Sequence, residues 1–412
     1  MNNNKRSVDG PNGQALWARA DRVLPGGSMY LTRSADFAGR GNLPGFVEAG
    51  EGARVIDADG RSYVDFLCAN GPIVLGYRHP EVEEAARVQT TKATSASLYP
   101  SALIDFIEFM VDRSPAMAWG VTAKNGSDVV ALALRVARAS TARNKVIQFR
   151  YAYHGFSPEV VSLGAGVPDA HRADIVWVDW NDADGLAEAA AAHAGDLAGV
   201  LVNPLEQNPA RDTIDLSPDM ATAITNAAEA TGAKVILDDV RHGLRLHPLG
   251  SHVAMGIDPD LVCMGKALGN GHPIGLLLGR ETARAGAQRL LFTATFCFEG
   301  VALRAAQKTI EVYDRDDAFH TMTRAGEALR AGIVESAERH GHSISWSGPP
   351  TMPTMRFVDD RGQVLGERFA RIAAHNGAIF HPRLNWFLNA SHDNAAISDA
   401  VAAADAAFAT LS

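Results

Sequence analysis

Four short apolar runs constrain this chain more than any other feature. Lys145–Phe149, Gly199–Val202, Lys234–Leu237 and Leu261–Met264 are continuous rather than alternating. That is the pattern of strands covered on both faces. Amphipathic stretches lie between them. Asp128–Arg143 sets Val129, Leu132, Val136 and Ala137 on one face of a helix. Asp219–Thr231 predicts another, closed by Gly232 just past its end. Strand and helix in alternation predict an α/β fold with a mostly parallel sheet. Ligands of such sheets sit beyond the carboxyl ends of the strands.

The remaining chain is organised differently. The first 55 residues are broken by Pro25-Gly26-Gly27 and Pro44-Gly45, and Asp57-Ala58-Asp59-Gly60 predicts a turn between two short strands. Later, helices are predicted at Ala302–Tyr313 and Thr323–Arg339, and strands near Ser343–Trp346 and Thr354–Phe357. The expected division is 1–55 as a segment joining a small domain, 56–305 as a large ligand-binding domain, and 306–412 as the small α+β domain. A length of 412 residues suits such a division. The balance of 38 basic against 47 acidic residues gives a net charge of −9 and argues against a nucleic-acid partner. No apolar run approaches the roughly 20 residues that cross a bilayer. The start, Met-Asn-Asn-Asn-Lys-Arg, lacks the apolar stretch of a secretory signal. The three cysteines form no CxxC pair, so a cytoplasmic location is expected. No His or Cys spacing fits a metal site, and none is predicted.

Chemistry gathers where the strands end. Asp238 and Asp239 follow one run, and Gly265-Lys266-Ala267-Leu268-Gly269-Asn270-Gly271 follows another. An N-cap aspartate and a solvated lysine are the ordinary readings. A lysine held against an apolar strand end, however, loses proton affinity and becomes an amine nucleophile. Lys124-Asn125-Gly126-Ser127-Asp128 opens a helix, and its free N–H groups could seat a phosphate. Tyr153-His154-Gly155 follows another strand and could supply an aromatic plate. An amine, a carboxylate for a ring nitrogen, a phosphate seat and a stacking ring are the demands of pyridoxal phosphate.

These motifs resemble the class III (subgroup II) aminotransferases of pyridoxal-phosphate fold type I, the aspartate aminotransferase-like fold, a group that includes glutamate-1-semialdehyde aminomutase. The resemblance extends to Leu24-Pro25-Gly26-Gly27 and to Leu75-Gly76-Tyr77-Arg78-His79-Pro80-Glu81-Val82. It implies that Lys266 forms the Schiff base and shuttles the proton, and that Asp238 meets the pyridine nitrogen. Val240 and Tyr153 would cover the two ring faces, Gly126 and Ser127 would hold the phosphate with Asn125 nearby, and His154 would adjoin the pocket. Phe292-Thr293-Ala294-Thr295-Phe296 resembles the loop that reaches a neighbouring subunit. Thr295 would there bind the partner's phosphate, which implies a homodimer.

The chain departs from the family at several places. Asn203-Pro204 stands where Glu-Pro is usual, with Glu206 following. Asp238-Asp239 stands for Asp-Glu, Arg241-His242 for a common Thr-Gly, and Asn-Gly-Ser-Asp for Ser-Gly-Thr-Glu. The phosphate-motif variant resembles members acting on amino sugars, closest to aminoglycoside enzymes of the gentamicin and kanamycin type that work at the 6′ carbon. The expected function is amino transfer at an amine-bearing carbon of an amino sugar in aminoglycoside biosynthesis. An epimerase using Lys266 and Cys297 on opposite faces is an alternative; a catalytically silent cofactor-binding protein is another. Cys297 is otherwise a small core residue. Arg383 is a candidate for a substrate carboxylate.

Overall fold

The computed structural model describes residues 7–29, 40–161, 164–206, 208–360 and 362–411. The polar opening and residues 30–39 of the N-terminal segment lie outside them. The chain divides into two compact units. One gathers Met1–His79, Pro209–Asp212 and Asp317–Ser412; the other gathers Pro80–Asn208 and Thr213–Asp316.

In the first unit, β1 (Val47–Glu51), β2 (Arg54–Asp57) and β3 (Ser62–Asp65) form an antiparallel meander. Asp57 builds its turn: one carboxylate oxygen accepts the N–H groups of Asp59 and Arg61, and the other accepts the Tyr63 hydroxyl at 2.8 Å. The first helix, Pro11–Val23, has Pro11 at a position that needs no N–H.

The second unit holds a seven-stranded sheet. Its strands are β4 (Trp119–Ala123), β5 (Lys145–Phe149), β6 (Ile175–Val178), β7 (Leu197–Val202), β8 (Lys234–Asp238), β9 (Leu261–Gly265) and β10 (Gly275–Gly279). They run in the order β4-β10-β9-β8-β7-β5-β6. The strands from β6 through β9 are parallel, and β10 runs antiparallel to both β9 and β4. This is the α/β arrangement of fold type I. β7, β9 and β10 are buried along their whole length, which is why their sequences do not alternate.

The Gly126–Thr141 helix buries Val129, Leu132, Ala133 and Val136 in a cluster with Val146, Leu201, Ile236 and Leu277 from four strands. Each fully buried aliphatic side chain contributes about 1.5–3 kcal/mol. Ser217 caps the Pro218–Thr231 helix through its hydroxyl, and Gly232 ends it at φ +73°. Gly275 lets β10 run against the loop ahead of the first of these helices; a Cβ there would lie 2.6 Å from the Asn125 carbonyl oxygen.

The first unit is completed by the hairpin β11 (Ile344–Ser347) and β12 (Thr354–Phe357) and by β13 (Ala378–Ile379), which pairs parallel with β3. No helix among the described residues is long and apolar enough to cross a membrane.

Candidate active site

The β8 strand delivers Asp238 at its carboxyl end. Asp238 Oδ2 lies 2.8 Å from His154 Nδ1, and Oδ1 accepts the Val240 N–H at 3.1 Å. Both Asp238 and His154 are buried. The adjacent Asp239 is engaged elsewhere: it accepts the Ser251 N–H at 2.9 Å and the Ser251 hydroxyl at 2.5 Å. Burial pushes Asp239 up to about 6 against the pull of those two bonds.

The next strand, β9, delivers Lys266. Its backbone turns left-handed at φ +44°, a conformation uncommon for a residue with a side chain. Such strain persists where the surroundings over-determine it, and it clusters at functional sites. Burial is the main cause that brings its amine down to about 8; Arg241 adds to it, Asp238 opposes it, and Arg245 adds again.

The third contribution is the start of the Gly126–Thr141 helix. Asn125 caps it reciprocally, accepting the Asp128 N–H at 3.0 Å and donating to the Asp128 carboxylate at 2.8 Å. That arrangement uses the Asn125 side chain and leaves the first N–H groups of the helix at its positive end. Ser127 Oγ accepts the Phe156 N–H at 3.3 Å, so the segment carrying Tyr153 and His154 is tied to this helix start. Val240 closes the site from the other side. A Cβ on Gly126 would lie 2.5 Å from Val240 Cγ1.

The structure thus brings Asn125, Gly126, Ser127, His154, Asp238 and Val240 together around the carboxyl ends of the strands, with Lys266 at the end of the neighbouring strand. These groups fit pyridoxal phosphate. A buried carboxylate suits the pyridine nitrogen, an amine of lowered proton affinity suits the aldehyde, a helix start suits the phosphate, and the Gly126–Val240 approach forms a floor that any larger residue would fill.

Other expected residues sit differently. Tyr153 is half exposed, at 52%. Thr295 lies on an exposed stretch with Phe296. Cys297 belongs to the apolar cluster of the sheet and the Gly126–Thr141 helix. Its carbonyl accepts the Thr122 hydroxyl at 2.6 Å, and burial pushes its thiol up. The Arg383 guanidinium is paired with Glu367. Two contributors were not singled out from the sequence. Ser251 binds Asp239 from a distant turn, and Arg245 is fully buried and weighs on the Lys266 amine. Their only sequence signal is position, an arginine soon after the strand carboxylates and a serine following a glycine.

Comparison with known proteins places the chain in a family. A sequence profile described as aminotransferase class-III matches residues 37–382. The chain is 34% identical over 404 residues to an aminopentol aminotransferase of Sphingopyxis macrogoltabida, covering 98% of this chain and 95% of that protein. It is 29% identical to a glutamate-1-semialdehyde 2,1-aminomutase of Chloroflexus aggregans, covering 97% and 98%. The solved FumI protein of Sphingopyxis sp. MTA144, in its PLP internal aldimine form, superposes with a TM-score of 0.95 at 34% identity, covering 98% of this chain and 97% of that one. The chain belongs to the class-III aminotransferases, enzymes dependent on pyridoxal phosphate.

Proposed function

We propose that the enzyme transfers an amino group at the amine-bearing carbon of a small, hydroxyl-rich amine, with an amino sugar at its 6′ carbon, in aminoglycoside biosynthesis, as the specific form. The observation that carries the reaction is the convergence of Lys266 with the Asp238–His154 pair at neighbouring strand ends. The hydroxyl-rich class is supported by two things, the amino-sugar resemblance of Lys124–Asp128 and the likeness to a relative named for an aminopentol.

Pyridoxal phosphate, when bound, supplies an electron sink for charge released at the amine-bearing carbon. Lys266 would hold it and, once its amine is free again, would take the proton from the amine-bearing carbon and carry it away from that carbon. Asp238 would hold the proton of the ring nitrogen, with its own carboxylate oriented by the His154 ring and the Val240 N–H. Val240 and Tyr153 would bound the ring, and the N–H groups of Gly126 and Ser127 would receive the phosphate at the positive end of their helix. Thr295 serves the phosphate of a second copy, which makes the working unit a homodimer. The three cysteines are free, which suits a reducing cytoplasm.

Transfer is favoured over inversion of the same carbon by the setting of Cys297. A two-base inversion needs an acid or base on the second face, and this thiol is packed among apolar side chains and held protonated. The test is incubation with amino sugars and amino polyols in deuterated water, with and without a keto acid. Conversion that requires the keto acid is expected. Deuterium uptake with inversion and no loss of amine would replace transfer by epimerisation.

A further inference from the structure

Three buried side chains, on His154, at the carboxyl end of β7 and in the turn after β8, carry polar atoms that no protein group meets. His154 gives Nδ1 to Asp238, and its Nε2 has no partner. Asn203 follows β7, whose Val202 pairs with Leu237 of β8, so the register sets Asn203 beside Asp238. Asn203 Nδ2 donates to the Leu205 carbonyl at 3.0 Å, and Oδ1 has no partner. His242 lies in the turn that follows β8, and both its ring nitrogens are unmet. The three side chains belong to residues only 2%, 1% and 1% exposed.

Native proteins match their buried polar groups, and where side chains leave some over, ordered water meets them with about three hydrogen bonds. The inventory here suits one such water. His154 Nε2 is an acceptor when Nδ1 gives its hydrogen to Asp238, and Asn203 Oδ1 is an acceptor. A neutral His242 ring offers one N–H. A single water donates twice and accepts once from that set, which meets three of the four open atoms and leaves the second His242 nitrogen. Burial, then the charges of Arg241 and Lys266, hold His242 in the neutral form.

We infer that His154, Asn203 and His242 share one ordered water beside Asp238, which makes Asn203 and His242 positioning residues for the carboxylate that meets the pyridine nitrogen. The water holds the His154 ring in the orientation that aims its N–H at Asp238. The carboxylate then keeps two N–H donors and presents its charge in one direction. This rests on the reading of Asp238 given above.

The test uses holoenzyme loaded with pyridoxal phosphate labelled with nitrogen-15 in the ring. Asn203→Leu and His242→Phe remove partners of the water. Each is expected to move the magnetic-resonance signal of the labelled nitrogen and to lower kcat roughly tenfold, the lower end of what outer partners of a ligating group cost. KM should stay within about twofold, since substrate binding is not touched. His242→Gln keeps a donor and an acceptor and is expected to restore both readouts. A crystal structure of the holoenzyme should show the water with its three partners. An unmoved signal and unchanged kcat in Asn203→Leu would overturn the inference, as would a direct contact between the His242 and Asn203 side chains. If His242→Phe does not fold, Asn203→Leu and the crystal structure decide alone. Asp238→Asn separates the two readings. An unmoved signal there sinks the role of Asp238 itself, whereas a moved signal there with an unmoved one in Asn203→Leu sinks only the water.

Discussion

The turn after β9 and the loop at Cys297 place two reactive groups under the same physical influence with opposite results. Burial disfavours the charged form of each. For Lys266 the charged form is the ammonium, so burial brings the amine down to about 8 and frees a nucleophile near neutral pH. For Cys297 the charged form is the thiolate, so burial pushes the thiol up and disfavours its reactive form. The backbone shows the same division. Lys266 is held in a strained left-handed turn at a strand end, while Cys297 closes an ordinary turn on the Ala294 carbonyl at 3.2 Å and packs with Val129 and Leu277. A reactive residue type is therefore a weaker guide than the sign of what burial does to it.

The largest effect belongs to Lys266. Lys266→Ala should lower kcat by about 10³-fold or more, since it removes both the proposed covalent anchor and the proposed proton shuttle. Spectral titration with pyridoxal phosphate should still show binding, because the phosphate seat and Asp238 are intact. Activity near that of the parent would dissolve the contrast with Cys297. Asp238→Ala comes next, at about 10²-fold in kcat, the scale of removing one well-placed electrostatic partner. A loss in KM alone would move Asp238 from the chemistry to simple binding.

The pH dependence of cofactor capture sharpens the same point. The folded Lys266 gives up its proton near 8, and an unfolded lysine does so near 10.5. The folded pKa is the lower one, so unfolding takes up a proton between those values. Stability of the cofactor-free protein therefore rises with pH across that window and is lowest below 8. The rate of pyridoxal phosphate capture should climb roughly tenfold per pH unit and level off near 8. A rate still climbing at pH 10 would mean an ordinary, solvated amine. Gly126→Ala is smaller. An exposed glycine in a helix gains stability when replaced by alanine. Here the new methyl would meet Val240, so overpacking of about 1–3 kcal/mol is expected, together with roughly tenfold weaker cofactor binding. Thermal melting and equilibrium titration read the two parts separately, and a stabilised variant would show that the Gly126–Val240 floor can yield.

Much of the fold was legible because burial on both faces writes itself into composition. β5 spans the residues expected of it, and β7, β8 and β9 extend the expected runs by one or two residues. Three strands of the same sheet, β4, β6 and β10, were not read. β10 is Gly-Leu-Leu-Leu-Gly, with no β-branched residue, and its glycines answer to Trp119 and Asn125 on other segments. β4 is interrupted by Gly120. The Asn394–Leu411 helix buries one face, through Ala396, Ala400, Ala403, Ala407 and Leu411, but alanines such as Ala395, Ala402 and Ala409 also lie on its outer face, so no contrast between the faces announced it. At the site, the residues that follow strands were readable because strand ends are few. The His154–Asp238 bond and the grip of Ser251 on Asp239 join distant segments, and no local pattern encodes them. The sequence also offers no means to separate a buried thiol from a reactive one, since the apolar cluster around Cys297 is assembled from several elements.

That leaves the smallest expected effect, which is also the most discriminating. Cys297→Ala removes one sulfur from an apolar cluster, so the cost is a modest loss of packing, about 1 kcal/mol, read as a lower melting temperature. Its activity in keto-acid-dependent transfer should stay within about twofold of the parent, because nothing in the reaction passes through the thiol. Cys297→Ser makes the contrast stronger. It keeps the size but buries a hydroxyl in place of the thiol, so it should lose more stability than the alanine variant and still transfer amines. Were the thiol a second base, the order would reverse. Both variants would lose exchange of the substrate proton on one face while keeping full stability, and the buried, protonated state assigned to Cys297 would have to be abandoned.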